Sequence, residues 1–265
     1  MATKPAAKKA ASKSTAVTTT TKKTGGAVVS VAEIQAQLKA QAEALNNKVA
    51  PASGITIQVS QSKEFKLPDG TKADELDVVI LDFVSANMFY EGEYDKDNIS
   101  PPACFAIGEN PLQLVPSDNS PLKQANECKG CPMNEFGSSG KGKACKNTRV
   151  LAVLPAEATE ETPIWLLKVS PTAIKAFDSY VRSVAATFQM PPVAVVTKVS
   201  FDENSDYPSL RFGDPQPNEN LPVHYARQEE AKTLLQTEPD VSQFGATQDK
   251  KAPPRRPASK TAGRR

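Results

Sequence analysis

Along the chain, hydrophobic and polar positions fall into alternating, helical and patternless stretches. In "GITIQVSQSKEFKLPDG", Ile55, Ile57 and Val59 alternate with polar residues, the period of a strand with one buried face. Pro68-Asp69-Gly70 is a turn sequence. The following "LDVVILDFV" is apolar on both parities, so this strand is expected at the centre of its sheet. Further strands are expected at "RVLAVLP", "TPIWLLKVS", "VAVVTKVSFDE" and "SLRF". Helical spacing appears in three places. A helix over 31–47 is announced by Ser30 and Glu33 as a capping box, with Ile34, Leu38 and Leu45 on one side. A second has Ser170 as N-cap, Pro171 in the first turn, and Ile174, Phe177, Val181 and Val184 on one face. "HYARQEEAKTLL" predicts a last helix.

Five or six antiparallel strands with a helix between the later ones give a mainly β protein with helices, an α+β chain. An OB-type antiparallel barrel suits that order, with a generic α+β sandwich as the alternative. Residues 91–148 break the pattern. They are rich in Pro, Gly, Asn and Ser, contain all four cysteines, and have few apolar runs. They are expected as a zinc-binding insertion, too polar to hold itself by burial, within a domain spanning 30–240. The stretches 1–29 and 241–265 carry too little apolar surface to offset chain entropy and are expected as disordered basic tails.

Charge changes this picture by its distribution. The net charge is +2, yet residues 1–26 carry six lysines and no acid, and residues 249–265 carry seven basic residues against one Asp. The tails therefore hold +12 and residues 27–248 hold −10. Inside that acidic body, residues 121–149 are basic at +4, from Lys123, Lys129, Lys141, Lys143, Lys146 and Arg149 against Glu127 and Glu135. Positive charge placed on the tails and around the cysteines points to a polyanion. No stretch approaches the ~20 apolar residues of a membrane span, and no apolar region follows the N-terminal lysines. A cytoplasmic location is expected, the host cytoplasm if the protein is viral.

The cysteines, Cys104, Cys128, Cys131 and Cys145, follow the spacing C-x23-C-x2-C-x13-C. A Cys-x-x-Cys turn presents two thiolates to one ion, and two more complete the tetrahedron that structural zinc prefers. Gly130 permits the tight turn and Pro132 stiffens its exit. Four protein ligands leave no open position, so one structural zinc per chain is expected, folding a segment that lacks its own core. Two other readings stand beside it. The cysteines can be separate buried thiols, although three lie in polar loops, or Cys128 and Cys131 a redox pair, although no thioredoxin-like unit surrounds them. Cys104 stands at an interval unlike that of a zinc ribbon, and His224 lies too far along the chain to replace it.

The run "GSSGKGKA" satisfies the G-x-x-x-x-G-K core of a phosphate-binding loop from Gly137 to Lys143. Ala144 stands where a hydroxyl should hold magnesium, and no strand leads into the run, so nucleotide hydrolysis is not expected. No other enzyme constellation stands out, and the chain is read as a non-enzyme. Single-stranded nucleic acid is instead held by a basic groove with aromatics on which bases stack. Phe89, Tyr90 and Tyr94 enter the cysteine block and Phe136 lies within it, next to Lys129, Lys141, Lys143, Lys146 and Arg149. These nine are the candidate nucleic-acid contacts.

The stretches "PPACFAIGENP", "ECKGCPMNEFGSSGKGKACKNTRVLAVLP" and "WLLKVSPTAIKAFDSYV" resemble a group of tailed-phage single-stranded-DNA-binding proteins over roughly residues 55–215. The plan is also similar to that of zinc-containing replication proteins of large phages, in which an OB fold carries a zinc subdomain. The resemblance implies a protein that coats single-stranded DNA without sequence preference during replication, recombination and repair. It implies Cys104, Cys128, Cys131 and Cys145 as ligands, and Lys141, Lys143, Lys146 and Arg149 at the groove entrance. Replication or recombination proteins are the implied partners, with self-association along DNA. Two departures stand out: the ligand set lacks a histidine, and the chain ends in "PPRRPASKTAGRR" rather than an acidic tail. The alternative is a zinc-stabilised structural or interaction protein of a virion or replisome, whose basic tails alone contact nucleic acid.

Overall fold

The structure, a computed structural model, describes residues 55–92 and 100–244. The predicted helix over 31–47, nearly all of both basic tails, and Tyr94 lie outside the described residues.

The fold is mixed α+β, mostly sheet. Among the described residues nine strands run β1 (Thr56–Val59), β2 (Phe65–Lys66), β3 (Lys72–Ala73), β4 (Leu76–Phe89), β5 (Cys104–Gly108), β6 (Cys145–Pro155), β7 (Trp165–Val169), β8 (Val195–Phe201) and β9 (Leu210–Pro217). Three helices accompany them among the described residues: α1 (Ile174–Phe188), α2 (Leu221–Ala226) and α3 (Gln228–Leu235). The strand order is β3-β2-β1-β7-β6-β4-β8-β9, with β5 also paired to β4. The strand predicted as central is central. β4 pairs with β6 along its length, and its other edge takes β8 at the start and β5 at the end.

Both faces of β4 are buried because both parities are apolar, and a bulge keeps them so. Register against β6 shifts between Ile80 and Asp82. Before the shift, Val78 and Ile80 enter one core cluster; after it, Phe83 joins that cluster, while Val79, Leu81, Val84 and Ala86 share the other. Without the extra residue, Asp82 would take the inward place that Phe83 occupies. The Asp82 carboxylate instead accepts the Phe83 amide at 2.7 Å.

The sheet is curled into a half-barrel. Its early and late strands meet where Phe65 stacks on Phe201, ring centroids 4.4 Å apart, and where the Lys63 ammonium donates to the Asp202 carbonyl at 3.0 Å. One face is covered by α1, whose Phe177 packs edge-on against Phe83 and Phe212. The other is covered by α3 and the turn around Val193, with Ala231 and Leu235 buried.

Four differences from the sequence reading have local causes. Nine strands replace five or six, because the two-residue strands β2 and β3 flank the Pro68-Asp69-Gly70 turn and β5 lies inside the cysteine block. One pair, β1 with β7, is parallel. The α1 helix starts a turn late, since the Ser170 hydroxyl bonds Thr172 rather than capping an amide. The last helix is two, divided at Arg227, whose guanidinium donates to the Glu160 and Thr162 carbonyls.

Candidate cysteine centre and basic loop

The cysteine block is joined directly to the central strand. Phe89 at the end of β4 is opposite Cys104 of β5 on one side and Cys145 of β6 on the other. Directly paired residues project from the same face, so Cys104 and Cys145 flank Phe89. The outer edge of β5 is occupied by the segment that follows. Ser117 donates its amide to the Phe105 carbonyl at 2.9 Å, Leu122 donates its own to Ala103 at 2.7 Å, and the Ser120 hydroxyl bridges both backbone groups of Phe105. Ala103, Phe105, Ala106 and Leu114 are buried, so part of the block that the sequence assigns to loop does bury apolar surface.

The Cys128–Cys131 turn closes on this platform. Cys128 donates its amide to the Leu114 carbonyl, and Gly130 adopts a φ of 77°, a left-handed conformation that disfavours a Cβ. The Asn134 side chain donates to the Cys128 carbonyl at 2.9 Å and its amide to the Cys131 carbonyl at 2.8 Å. All four thiols are free of disulfides, buried at 7–8% exposure, and line one cavity of about 10 Å³ with Asn87, Phe89 and Asn134. Burial pushes the Cys145 thiol up to about 12, helped by repulsion from Cys128, Cys131 and Cys104 and opposed by Lys143. Cys128 is also raised, first by burial, against a hydrogen bond from the Asn87 side chain. Among the described residues, no three His, Cys, Asp or Glu side chains stand in a ready metal-coordinating arrangement.

Polar side chains that the sequence did not single out lie on the same face. Asn147 donates its side-chain amide to the Asn87 oxygen at 2.6 Å and to the Asn134 oxygen at 2.9 Å; the Lys143 ammonium donates to that same Asn134 oxygen at 3.3 Å. Asn87 is only 6% exposed. One step nearer the core, opposite Ser85, stands Arg149. Its guanidinium donates to both carboxylate oxygens of Asp178 on α1, at 3.2 and 3.0 Å, and to the Ser85 hydroxyl at 3.0 Å. Arg149, expected at a DNA groove entrance, is 8% exposed, and three of its guanidinium N–H groups are bonded within the fold. The only sequence signal would have been its alternation with Leu151 and Val153 on an inward-facing parity.

Three of the other four basic candidates are on the surface. Gly137 to Gly142 form a tight reversal, with Gly137 and Ser139 both donating their amides to the Gly142 carbonyl and Gly140 donating to Gly137. The Ser138 hydroxyl donates to the Glu135 carbonyl and accepts the Ala144 amide. These amides are spent within the loop, and β6 rather than a helix follows, so the phosphate-binding-loop arrangement is not formed. Lys129, Lys141 and Lys146 are exposed, and Lys143 is half-buried beside Asn134. Phe136 is 81% exposed and Tyr90 42%, while Phe89 is half-buried at the cysteine cavity. Among the described residues, no helix is long and apolar enough to cross a membrane.

Compared with protein-family models, curated proteins and solved structures, the chain matches none.

Proposed function

We propose that the protein is a non-enzymatic single-stranded-DNA-binding protein with an OB-type barrel and one structural zinc held by Cys104, Cys128, Cys131 and Cys145. The observation that carries the reading is the exposed Phe136, with Lys129, Lys141 and Lys146, in a block anchored at the end of the central strand of an otherwise acidic body. Exposed aromatics beside cations suit stacked bases and their phosphates. A phenylalanine 81% exposed has no role in the core that would account for it.

The strand order supports the OB-type part. β7-β6-β4-β8-β9, with α1 between β7 and β8, is a meander of three strands followed by a helix and two more strands, the fourth paired to the first. In such barrels the connection between the first two strands helps bind oligonucleotides, and here it is the cysteine block.

The chemistry of four thiols suits zinc. Four buried thiols around one small cavity repel one another when ionised, and a divalent cation at their centre removes that repulsion. A zinc ion bound there would cross-link β5, the Cys128–Cys131 turn and β6. The Asn87 side chain would orient the Cys128 thiolate, and Asn134 and Asn147 would hold Asn87 and Lys143 in place around it.

Titrating the full chain with fluorescent oligo-dT across a salt series tests the function. Binding should weaken with a log–log slope of about −0.7 for each phosphate contacted, about −2 for the three exposed lysines of the block. No binding at low salt refutes the reading. Metal analysis tests the centre separately, and much less than one zinc per chain removes it without touching the DNA claim.

A further inference from the structure

The cavity at the cysteine centre has no charged residue in its wall. Besides the four cysteines it is lined by apolar and amide side chains, Asn87, Phe89, Met133 and Asn134 among them. Four thiolates around one divalent cation leave a net charge of −2. The four cysteines are buried, and a charge of that size is costly there unless a cation stands close to it.

Of the cations in and beside the block, Lys123 and Arg149 are paired with Asp118 and Asp178, and Lys129, Lys141 and Lys146 are exposed. Lys143 differs from all five. It is half-buried, and its ammonium donates to the Asn134 oxygen at 3.3 Å. Asn134 is part of the cavity wall, and its own side-chain amide donates to the Cys128 carbonyl at 2.9 Å. Among the described residues, no carboxylate lies within ion-pair reach of Lys143. Its charge acts on a cysteine instead. Burial and the other three thiols disfavour the Cys145 thiolate, and Lys143 favours it. The loop fixes this placement from both sides. The Ala144 amide donates to the Ser138 hydroxyl at 2.9 Å, and the Lys146 ammonium donates to the Lys143 carbonyl at 3.1 Å.

We propose that Lys143 is the counter-ion of the cysteine centre. Its charge offsets the net negative charge of the four thiolates and their zinc, and Asn134 holds it at the cavity wall where that charge is felt. Lys143 is thus a positioning residue of the metal site, and phosphate contact falls to Lys129, Lys141 and Lys146. The proposal rests on the zinc reading and not on the DNA reading.

Competition between the full chain and a chromogenic zinc chelator, read across a charge series at this one position, tests it. Lys143→Arg keeps the charge and should hold zinc as the wild type does. Lys143→Gln removes the charge and should weaken zinc affinity about tenfold, and Lys143→Glu should weaken it further. Alkylation of the thiols by iodoacetamide should quicken in the same order. Amide exchange in the first half of β4 reports that each variant is folded. Lys141→Gln, in the same loop but exposed, should leave zinc affinity unchanged. Lys143→Gln matching the wild type, Lys143→Arg as weak as Lys143→Gln, or an equal loss in Lys141→Gln would each overturn the proposal. In the first of these cases, a lower oligo-dT salt slope for Lys143→Gln returns Lys143 to the DNA surface. Wild-type protein that takes up no zinc overturns the zinc reading itself, and this proposal with it, before any variant is compared.

Discussion

Before the bulge, β4 turns Val78 and Ile80 into a core filled by Phe177, Leu151 and Val153; beyond it, the same face carries Ser85, Asn87 and Phe89, set against Arg149, Asn147 and Cys145. The first half is held by burial, which needs no particular partner, only apolar volume. The second is held by hydrogen bonds, an ion pair and thiols, each depending on a specific group at a specific distance. The first half can be repacked by any residues of suitable shape. The second half should lose its arrangement when one member is lost, and it is the half beside which the exposed lysines and Phe136 stand.

Several substitutions bear on that contrast, and the largest effect belongs to the apolar half. Phe177→Ala, at a wholly buried ring contacting Phe83 and Phe212, should cost about 3–5 kcal/mol in urea denaturation and shift the whole molecule's transition. A much smaller loss would mean that α1 is not integral to the core. Arg149→Ala should cost about 2–3 kcal/mol, less than for a fully buried pair because the Asp178 side chain is 29% exposed. Its oligo-dT affinity, measured where the variant is folded, should match the wild type; a lower salt slope would return Arg149 to the DNA surface.

Cysteine-end changes should act locally. Cys128→Ser, or treatment with a strong chelator, should raise amide exchange across 104–145 while the protected amides of β4's first half and β8 persist. Equal loss of protection in both halves would show that the two are one cooperative unit. Phe136→Ala should leave folding stability within ~0.5 kcal/mol and weaken oligo-dT binding by about 1–3 kcal/mol. The smallest effect is expected for Lys141→Ala, which should lower the salt slope by about 0.7 with no change in stability. If neither surface variant alters binding, the cysteine end is a structural element only.

What was legible in the sequence was what local pattern encodes. The two-parity apolar run of β4, the alternation in β1 and β8, the apolar stripe of α1 and the proximity of the cysteines along the chain are each set within a few residues. The segregation of charge is likewise a property of the chain order. Hidden were the features whose partners lie far away. Arg149 reads as one more cation of a basic window until Asp178, 29 residues on, accepts its guanidinium. Asn87 reads as strand filler until Asn147 reaches it across 60 residues. Phe65 and Phe201, near opposite ends of the strand order, show their contact only once the sheet curls. The sequence alone thus determined the longer strands, the apolar stripe of α1 and the extent of the cysteine block, because periodicity and composition are local. Tertiary structure alone decided which polar groups are committed to the fold and which remain on the surface, because a hydrogen bond or ion pair is set by distance in space.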